Sequence, residues 1–313
     1  MPSSLAHPSG KLPAQLPHPV RLVAFDMDGT LLPDFSTTVS PRNQRALLAA
    51  QQAGITVAIA TGRRQAFTAP LLDRVGLHPD TPMITSNGAV TRTFSGTRID
   101  FEHLAPSLAR EFARILRGTG MLVFTLDKST GPDLIVEDMG IARGRLSKWV
   151  EANRRSIVAV KPIESALGDD VAIIQGMSAG TLREMAEAER LLADSPLAQH
   201  FDVVRTAYPG HDLSILDLLP RDVSKRSALQ RLANRLSIPQ AETMAIGDNW
   251  NDVTMLDWAG TGVLMGNATP ELHALAPTHG WLVAPTNDED GVASMLELAI
   301  ASLPAQSSAT LET

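Results

Sequence analysis

Short runs of β-branched and aliphatic residues recur along the chain, and most of them end in a polar cluster. Leu22-Val23-Ala24-Phe25 is the first, four apolar residues without alternation, as expected of a parallel strand buried on both faces. It runs into Asp26-Met27-Asp28-Gly29-Thr30. Ser40-Pro41 then predicts a helix N-cap followed by a first-turn proline, with the helix continuing to Ala53 and Gly54 ending it. Ile55-Thr56-Val57-Ala58-Ile59-Ala60 predicts a second strand, ending in Thr61-Gly62-Arg63-Arg64 ahead of a helix. Pro82-Met83-Ile84-Thr85 predicts a third, closed by Ser86-Asn87-Gly88. Strand, helix, strand in succession implies right-handed crossovers in a parallel sheet, so these polar clusters gather along one edge.

The pattern then changes. Residues 89–94 and 98–101 suggest a hairpin around Ser95-Gly96. Beyond Pro106 come a helix over residues 108–116, strands over 121–126, 134–136, 157–160 and 171–175, a helix over 181–192, and strand candidates at 201–204 and 213–218. These shorter, more polar strands read as an inserted second domain. The parallel rhythm returns at Val223-Ser224-Lys225, where Ser224 caps a helix reaching Leu236, followed by a strand over 243–246. That strand ends in Gly247-Asp248-Asn249-Trp250-Asn251-Asp252, and two short strands (262–265, 280–283) and a final helix (291–303) follow. The expected architecture is α/β. A parallel-sheet core is expected on either side of the inserted second domain. Residues 1–19, with their prolines and serines, are expected to be a disordered extension, and residues 304–313 a frayed tail.

Composition narrows the function classes. A 313-residue chain with 44% hydrophobic residues can bury a sizeable core and has length for two domains. The net charge of −7 argues against nucleic-acid or anionic-membrane surfaces. With no cysteine, disulfides, thiolate zinc sites and thiol catalysis are excluded together. The first residues lack the apolar core of a secretion signal, and no apolar run approaches the roughly 18 residues that would span a bilayer. A soluble cytoplasmic protein is expected, and monomer and homodimer are equally compatible with the sequence.

Four polar clusters carry candidate chemistry: Asp26 with Asp28, Thr61 with Gly62, Lys225, and Asp248 with Asn251 and Asp252. Ligands of an open parallel sheet bind at the carboxyl ends of its strands. The turn that Gly29 permits would bring the Asp26 and Asp28 carboxylates around one point, where they repel by roughly 4 kcal/mol at 4 Å and an effective dielectric near 20. A hard divalent cation is the natural counterweight. A calcium loop is disfavoured because Leu31-Leu32-Pro33 supplies no further oxygen ligand. Taken singly, Thr61 reads as a helix cap, Lys225 as a solvated lysine and the Asp248 cluster as a turn. Together they stand where one anionic ligand and one cation would need them.

In order, Asp26-Met27-Asp28-Gly29-Thr30, Thr61-Gly62-Arg63, Lys225 and Gly247-Asp248-Asn249-Trp250-Asn251-Asp252 resemble the four signature motifs of the haloacid dehalogenase superfamily. Ser86-Asn87-Gly88-Ala89, Gly266-Asn267-Ala268, the segment Asn287-Asp288-Glu289-Asp290-Gly291-Val292 and the long insert resemble its Cof-type phosphatase branch, subclass IIB. The resemblance implies a Mg2+-dependent phosphatase of small phosphorylated metabolites, with sugar phosphates the expected class. It casts Asp26 as the nucleophile that becomes an aspartyl-phosphate, and Asp28 as general acid and base. Metal ligation falls to Asp26, Asp28 (through its backbone carbonyl), Asp248 and, through water, Asp252. Thr61, the Gly62 amide, Lys225 and Asn251 would hold the phosphoryl oxygens, and Arg63 either assists or lies at the surface. The resemblance further implies that the insert, residues 87–212, forms an α/β cap on a Rossmann-like core over residues 20–86 and 213–303, and in that cap Asp127, Lys128 and Arg205 at strand ends could read the leaving group or be solvated. Asp222 and Arg226 stand where the family usually has glycines beside the lysine. A phosphomutase and a non-catalytic phosphate-binding regulator are the alternatives.

Overall fold

A computed structural model describes residues 12–33, 36–128, 131–138, 146–208 and 211–304. The chain divides into two compact units, Met1–Ile99 with Lys225–Thr313 and Asp100–Ser224.

In the first unit the chain forms β1 (Leu22–Phe25), α1 (Pro41–Gln52), β2 (Thr56–Ala60), α2 (Gln65–Leu72), β3 (Pro82–Thr85) and β4 (Val90–Thr93), and β5 (Arg98–Phe101) begins in it and ends in the second unit. Ser40 Oγ caps α1 by accepting the Asn43 N–H at 3.0 Å. The second unit contains α3 (Pro106–Leu116), β6 (Met121–Leu126), β7 (Leu134–Val136), α4 (Ser147–Asn153), β8 (Ile157–Ala159), β9 (Ile173–Gly180), α5 (Leu182–Ala193), β10 (Phe201–Tyr208) and β11 (Leu213–Pro220). The chain then returns to the first unit with α6 (Lys225–Arg235), β12 (Thr243–Gly247), α7 (Val253–Trp258), β13 (Thr261–Leu264), α8 (Pro270–His279), β14 (Leu282–Val283) and α9 (Gly291–Ala301).

The first unit is a doubly wound sheet in the order β14-β13-β12-β1-β2-β3-β4-β5. Its strands are parallel from β14 to β3, and β4 turns back antiparallel to β3. The β1 strand lies between β12 and β2, with Phe25 opposite Ile246 and Ile59. Its side chains alternate between two cores. Val23 and Phe25 pack with Leu47 of α1 and with Val292, Met295 and Leu296 of α9. Leu22 and Ala24 pack with Leu229 of α6, Leu256 of α7 and Leu272 of α8. Covering both faces is what confines polar chemistry to the strand ends.

The second unit is a six-stranded sheet, β10-β11-β9-β6-β7-β8. It is antiparallel except where β8 runs parallel to β7. Phe112 of α3 and Met185 and Leu192 of α5 pack on Leu122, Phe124, Leu216 and Leu218. The Phe112 and Phe124 rings meet edge to face, 6.0 Å between centroids.

The expected boundaries at residues 87 and 212 move. β4 pairs with β3, Thr85 opposite Val90, and so belongs to the first sheet. β11 pairs with both β9 and β10 and so belongs to the second. The disordered extension expected over residues 1–19 is corrected where the structure describes it. Leu16 is buried and Leu12 is partly buried against the core that contains Phe25, and the Leu16 N–H donates to Ser302 Oγ at 3.0 Å. Apolar burial outweighs the proline-rich composition there. Residues 1–11 and, in the expected tail, 305–313 lie outside the described residues. Among the described residues no helix is long and apolar enough to cross a membrane.

Candidate functional site

The Asp26 N–H still donates to Ile246 O across the sheet, at 3.0 Å, which fixes the first carboxylate at the end of β1. The chain then turns tightly, the Gly29 N–H donating to Leu32 O and the Leu32 N–H to Met27 O, with Gly29 at φ +77°. This turn separates the two aspartates instead of gathering them. Asp26 is buried, whereas the Asp28 side chain is half exposed and turned to Arg63. Arg63 Nε donates to Asp28 Oδ2 at 2.6 Å and its Nη2 to Oδ1.

The partners of Asp26 come from the far half of the chain. Lys225, the first residue of α6, is 1% exposed, and its Nζ donates to Asp26 Oδ1 and Asp252 Oδ1, both at 2.7 Å. A solvated surface lysine is thereby excluded. The other oxygen of Asp252 accepts the N–H groups of Asp248 and Asn249, each at 3.1 Å, which closes the loop after β12. Asp248 Oδ1 accepts from Thr30 Oγ1 at 2.7 Å. Gly29 is required here because a Cβ would stand 2.3 Å from Asp248 Oδ2.

At the end of β2, Thr61 is buried and its Oγ1 accepts the Arg63 N–H at 3.1 Å. Thr61 does not cap α2, whose N-cap position is Arg64. Ser86 and Asn87, at φ +50° and +53°, clamp this loop: the Asn87 N–H donates to Thr61 O and the Ser86 N–H to Arg63 O. The Asn87 side chain lies against Gly62, its Oδ1 2.9 Å from where a Cβ would be. Asn87 Oδ1 and Asn251 Oδ1 are buried acceptors without a protein partner.

Burial, reinforced by Asp252 and Asp28 and opposed by Lys225, pushes the Asp26 carboxyl up to about 7. Burial, with Asp26 and Asp252 adding to it, pushes Asp248 up to about 8. Burial alone would lower Lys225, but the attraction of Asp252 and Asp26 outweighs it and raises the ammonium. Asp26, Asp248 and Asp252 each offer an oxygen within 4.8 Å of the others. These are hard donors suited to a divalent cation such as Mg2+. Asp26 and Asp248 each have an oxygen beyond the one engaged by Lys225 or Thr30, whereas both Asp252 oxygens are engaged within the protein. Direct ligation therefore suits the first two, and Asp252 would act through water.

The structure thus brings together Asp26, Lys225, Asp248 and Asp252 and leaves the Asp28 carboxylate outside that group. Three contributors carried no assigned role in the sequence reading. Thr30 holds Asp248, and Asn87 clamps the Thr61 loop. Asn267 Nδ2 donates to Gly29 O at 2.8 Å while its Oδ1 accepts the Asn287 N–H at 2.9 Å. The polar pairs Ser86-Asn87 and Gly266-Asn267 directly after strands were the available signal. Asp222 takes φ +63°, a left-handed backbone that favours glycine, and Arg226 is exposed. In the second unit, Asp127 is not solvated: its side chain is 2% exposed and lies 3.0 Å from His103 Nε2. Arg205 pairs with Glu189 at 3.0 Å, and Lys128 is exposed.

A buried strand-end carboxylate, a buried lysine and an acidic loop define a doubly wound α/β enzyme with donors for an anion and a hard cation. The chain belongs to the haloacid dehalogenase-like hydrolases, whose family profile matches residues 23–296. It is 30% identical over 294 residues to phosphatase YwpJ of Bacillus subtilis, covering 89% of this chain and 99% of that one. It is 31% identical over 258 residues to an HMP-PP phosphatase of Cronobacter sakazakii, covering 82% and 88%. A haloacid dehalogenase-like hydrolase structure from B. subtilis superposes with a TM-score of 0.73 at 27% identity, covering 89% of this chain and 99% of that one. The α/β fold and the Cof-type resemblance expected from the motifs are borne out.

Proposed function

We propose that the chain is a Mg2+-dependent phosphatase that hydrolyses small phosphorylated metabolites through an aspartyl-phosphate on Asp26. The observation that carries this reading is the convergence on one point of Asp26, of Lys225, which lies 199 residues further along the chain, and of Asp248 and Asp252 from a third segment. The phosphatase names of the relatives at 30% and 31% identity support it.

In the first step an Asp26 oxygen bonds to phosphorus as the ester P–O bond breaks, and the leaving oxygen takes a proton from the Asp28 carboxyl. In the second, water bonds to phosphorus as the Asp26 O–P bond breaks, and Asp28, now a carboxylate, takes the water proton. Lys225, Thr61, the Gly62 amide and Asn251 hold the phosphoryl oxygens, where charge spreads in the transition state. Asp26, Asp248, the Asp28 carbonyl and, through water, Asp252 would hold Mg2+, which offsets the carboxylates and polarises the phosphoryl group. We assign the unit Asp100–Ser224 the role of a cap that excludes water during turnover. Sugar phosphates are the substrate class the Cof-type resemblance favours.

The test is turnover of an aryl phosphate with Mg2+, and trapping of the phosphorylated chain after a quench. Wild-type protein should turn over and carry label on Asp26, and Asp26→Asn should do neither. A label on another residue, or turnover by Asp26→Asn, would overturn the reading.

A further inference from the structure

Resting on the assignment of Asp28 as general acid, we infer that Arg63 is the positioning residue that aims the Asp28 carboxyl group. The fork of Arg63 engages both Asp28 oxygens, Nε to Oδ2 at 2.6 Å and Nη2 to Oδ1, which fixes the plane of the carboxyl group as well as its place. Asp28 needs such a partner. Its side chain is 51% exposed and stands outside the carboxylate cluster, so nothing in that cluster orients it.

Arg63 is itself held at three points. Its N–H donates to Thr61 Oγ1 at 3.1 Å, its carbonyl accepts the Ser86 N–H at 2.9 Å, and its guanidinium carbon lies 5.1 Å from the centre of the Phe67 ring. The loop that grips the phosphoryl oxygens in the proposed function thus also carries the group that orients the proton donor. The two functions are joined through one short peptide, Thr61-Gly62-Arg63.

Leaving-group dependence tests the assignment. An alkoxide needs a proton as the P–O bond breaks, whereas an acidic phenol such as p-nitrophenol departs largely unaided, so misaiming the acid penalises alkyl esters selectively. In Arg63→Gln, kcat/KM for glycerol 2-phosphate should fall by about 30-fold or more while that for p-nitrophenyl phosphate stays within about threefold. Arg63→Lys, which keeps the charge and loses the fork, should lie between the two proteins. Asp28→Asn should lose more of its kcat/KM for glycerol 2-phosphate than Arg63→Gln does, and should also lose kcat on both esters, because water attack in the second step needs the Asp28 carboxylate. Equal losses on both esters would overturn the inference, since they would place Arg63 on the phosphoryl group or in the fold. No loss on either would reduce the pair to a surface contact. Both failures leave the Asp26 labelling result untouched, so they are distinct from failure of the proposed function. If Asp28→Asn itself lacks the selectivity, the acid assignment falls and the inference falls with it.

Discussion

Lys225 Nζ lies 2.7 Å from Asp26 Oδ1, although 199 residues separate the two in the chain. The ammonium is 1% exposed and also pairs with Asp252, which is fully buried. Removing one member of a buried ion pair leaves the rest uncompensated, at a cost of about 3–5 kcal/mol. Lys225→Met should therefore lower the melting temperature on the order of 10 °C and abolish turnover. Calorimetry and aryl-phosphate assays check both effects. An unchanged melting temperature would mean that the pair contributes nothing to the fold.

Gly29 and Gly54 both adopt positive φ, +77° and +84°, yet only Gly29 faces a side chain. A Cβ at Gly29 would meet Asp248 Oδ2 at 2.3 Å, whereas Gly54 has nothing within 4 Å. Gly29→Ala should raise the Mg2+ concentration for half-maximal activity about tenfold or more by displacing Asp248. Gly54→Ala should cost about 1–2 kcal/mol of backbone strain and leave that concentration unchanged. Metal titrations of the two variants separate a site effect from a backbone effect.

Asn87 combines a left-handed backbone with a buried Oδ1 that has no protein partner. Asn87→Gly keeps the backbone and removes the orphan acceptor, so its stability should stay within about 1 kcal/mol of wild type. Asn87→Ala should be less stable than Asn87→Gly by about 1–2 kcal/mol. Urea unfolding monitored in parallel tests the ranking, and equal stabilities would mean that the φ of this residue is not what constrains the position.

Asp217 is half-buried on β11, where burial pushes its carboxyl from 3.8 up to about 7 and Gln175 Nε2 donates to it at 3.4 Å. Between these values the folded state holds a proton that the unfolded state has released, so stability falls as pH rises through the window. Asp217→Asn removes that dependence. The variant should melt close to wild type at pH 4 and above it at pH 8, by a margin that grows between the two. A margin independent of pH would contradict the assignment.

Much of the parallel sheet was legible because β1, β2 and β12 are buried on both faces and so appear as unbroken apolar runs. The edge of the insert was not. Val90–Thr93 and Leu213–Pro220 each announce a strand, but which sheet each joins depends on partners the local pattern does not encode. The site residues were recognisable by type and order, while their relationships were not. Asp28 stands two positions from Asp26 in the sequence, yet its carboxylate pairs with Arg63, 35 residues away. Leu12 and Leu16 were hidden by the prolines around them, since two spaced leucines make no periodic signal.

The hydrogen bond from the Leu16 N–H to Ser302 Oγ joins positions 286 residues apart and brings both ends of the described chain to one place. A gene rearranged so that a short linker fuses these ends, with new termini cut at Gly96, should still encode a folded protein. Gly96 offers such a cut because it sits in the hairpin turn with open space around its Cα. The linear order of the four motifs would then change while their meeting point stayed the same.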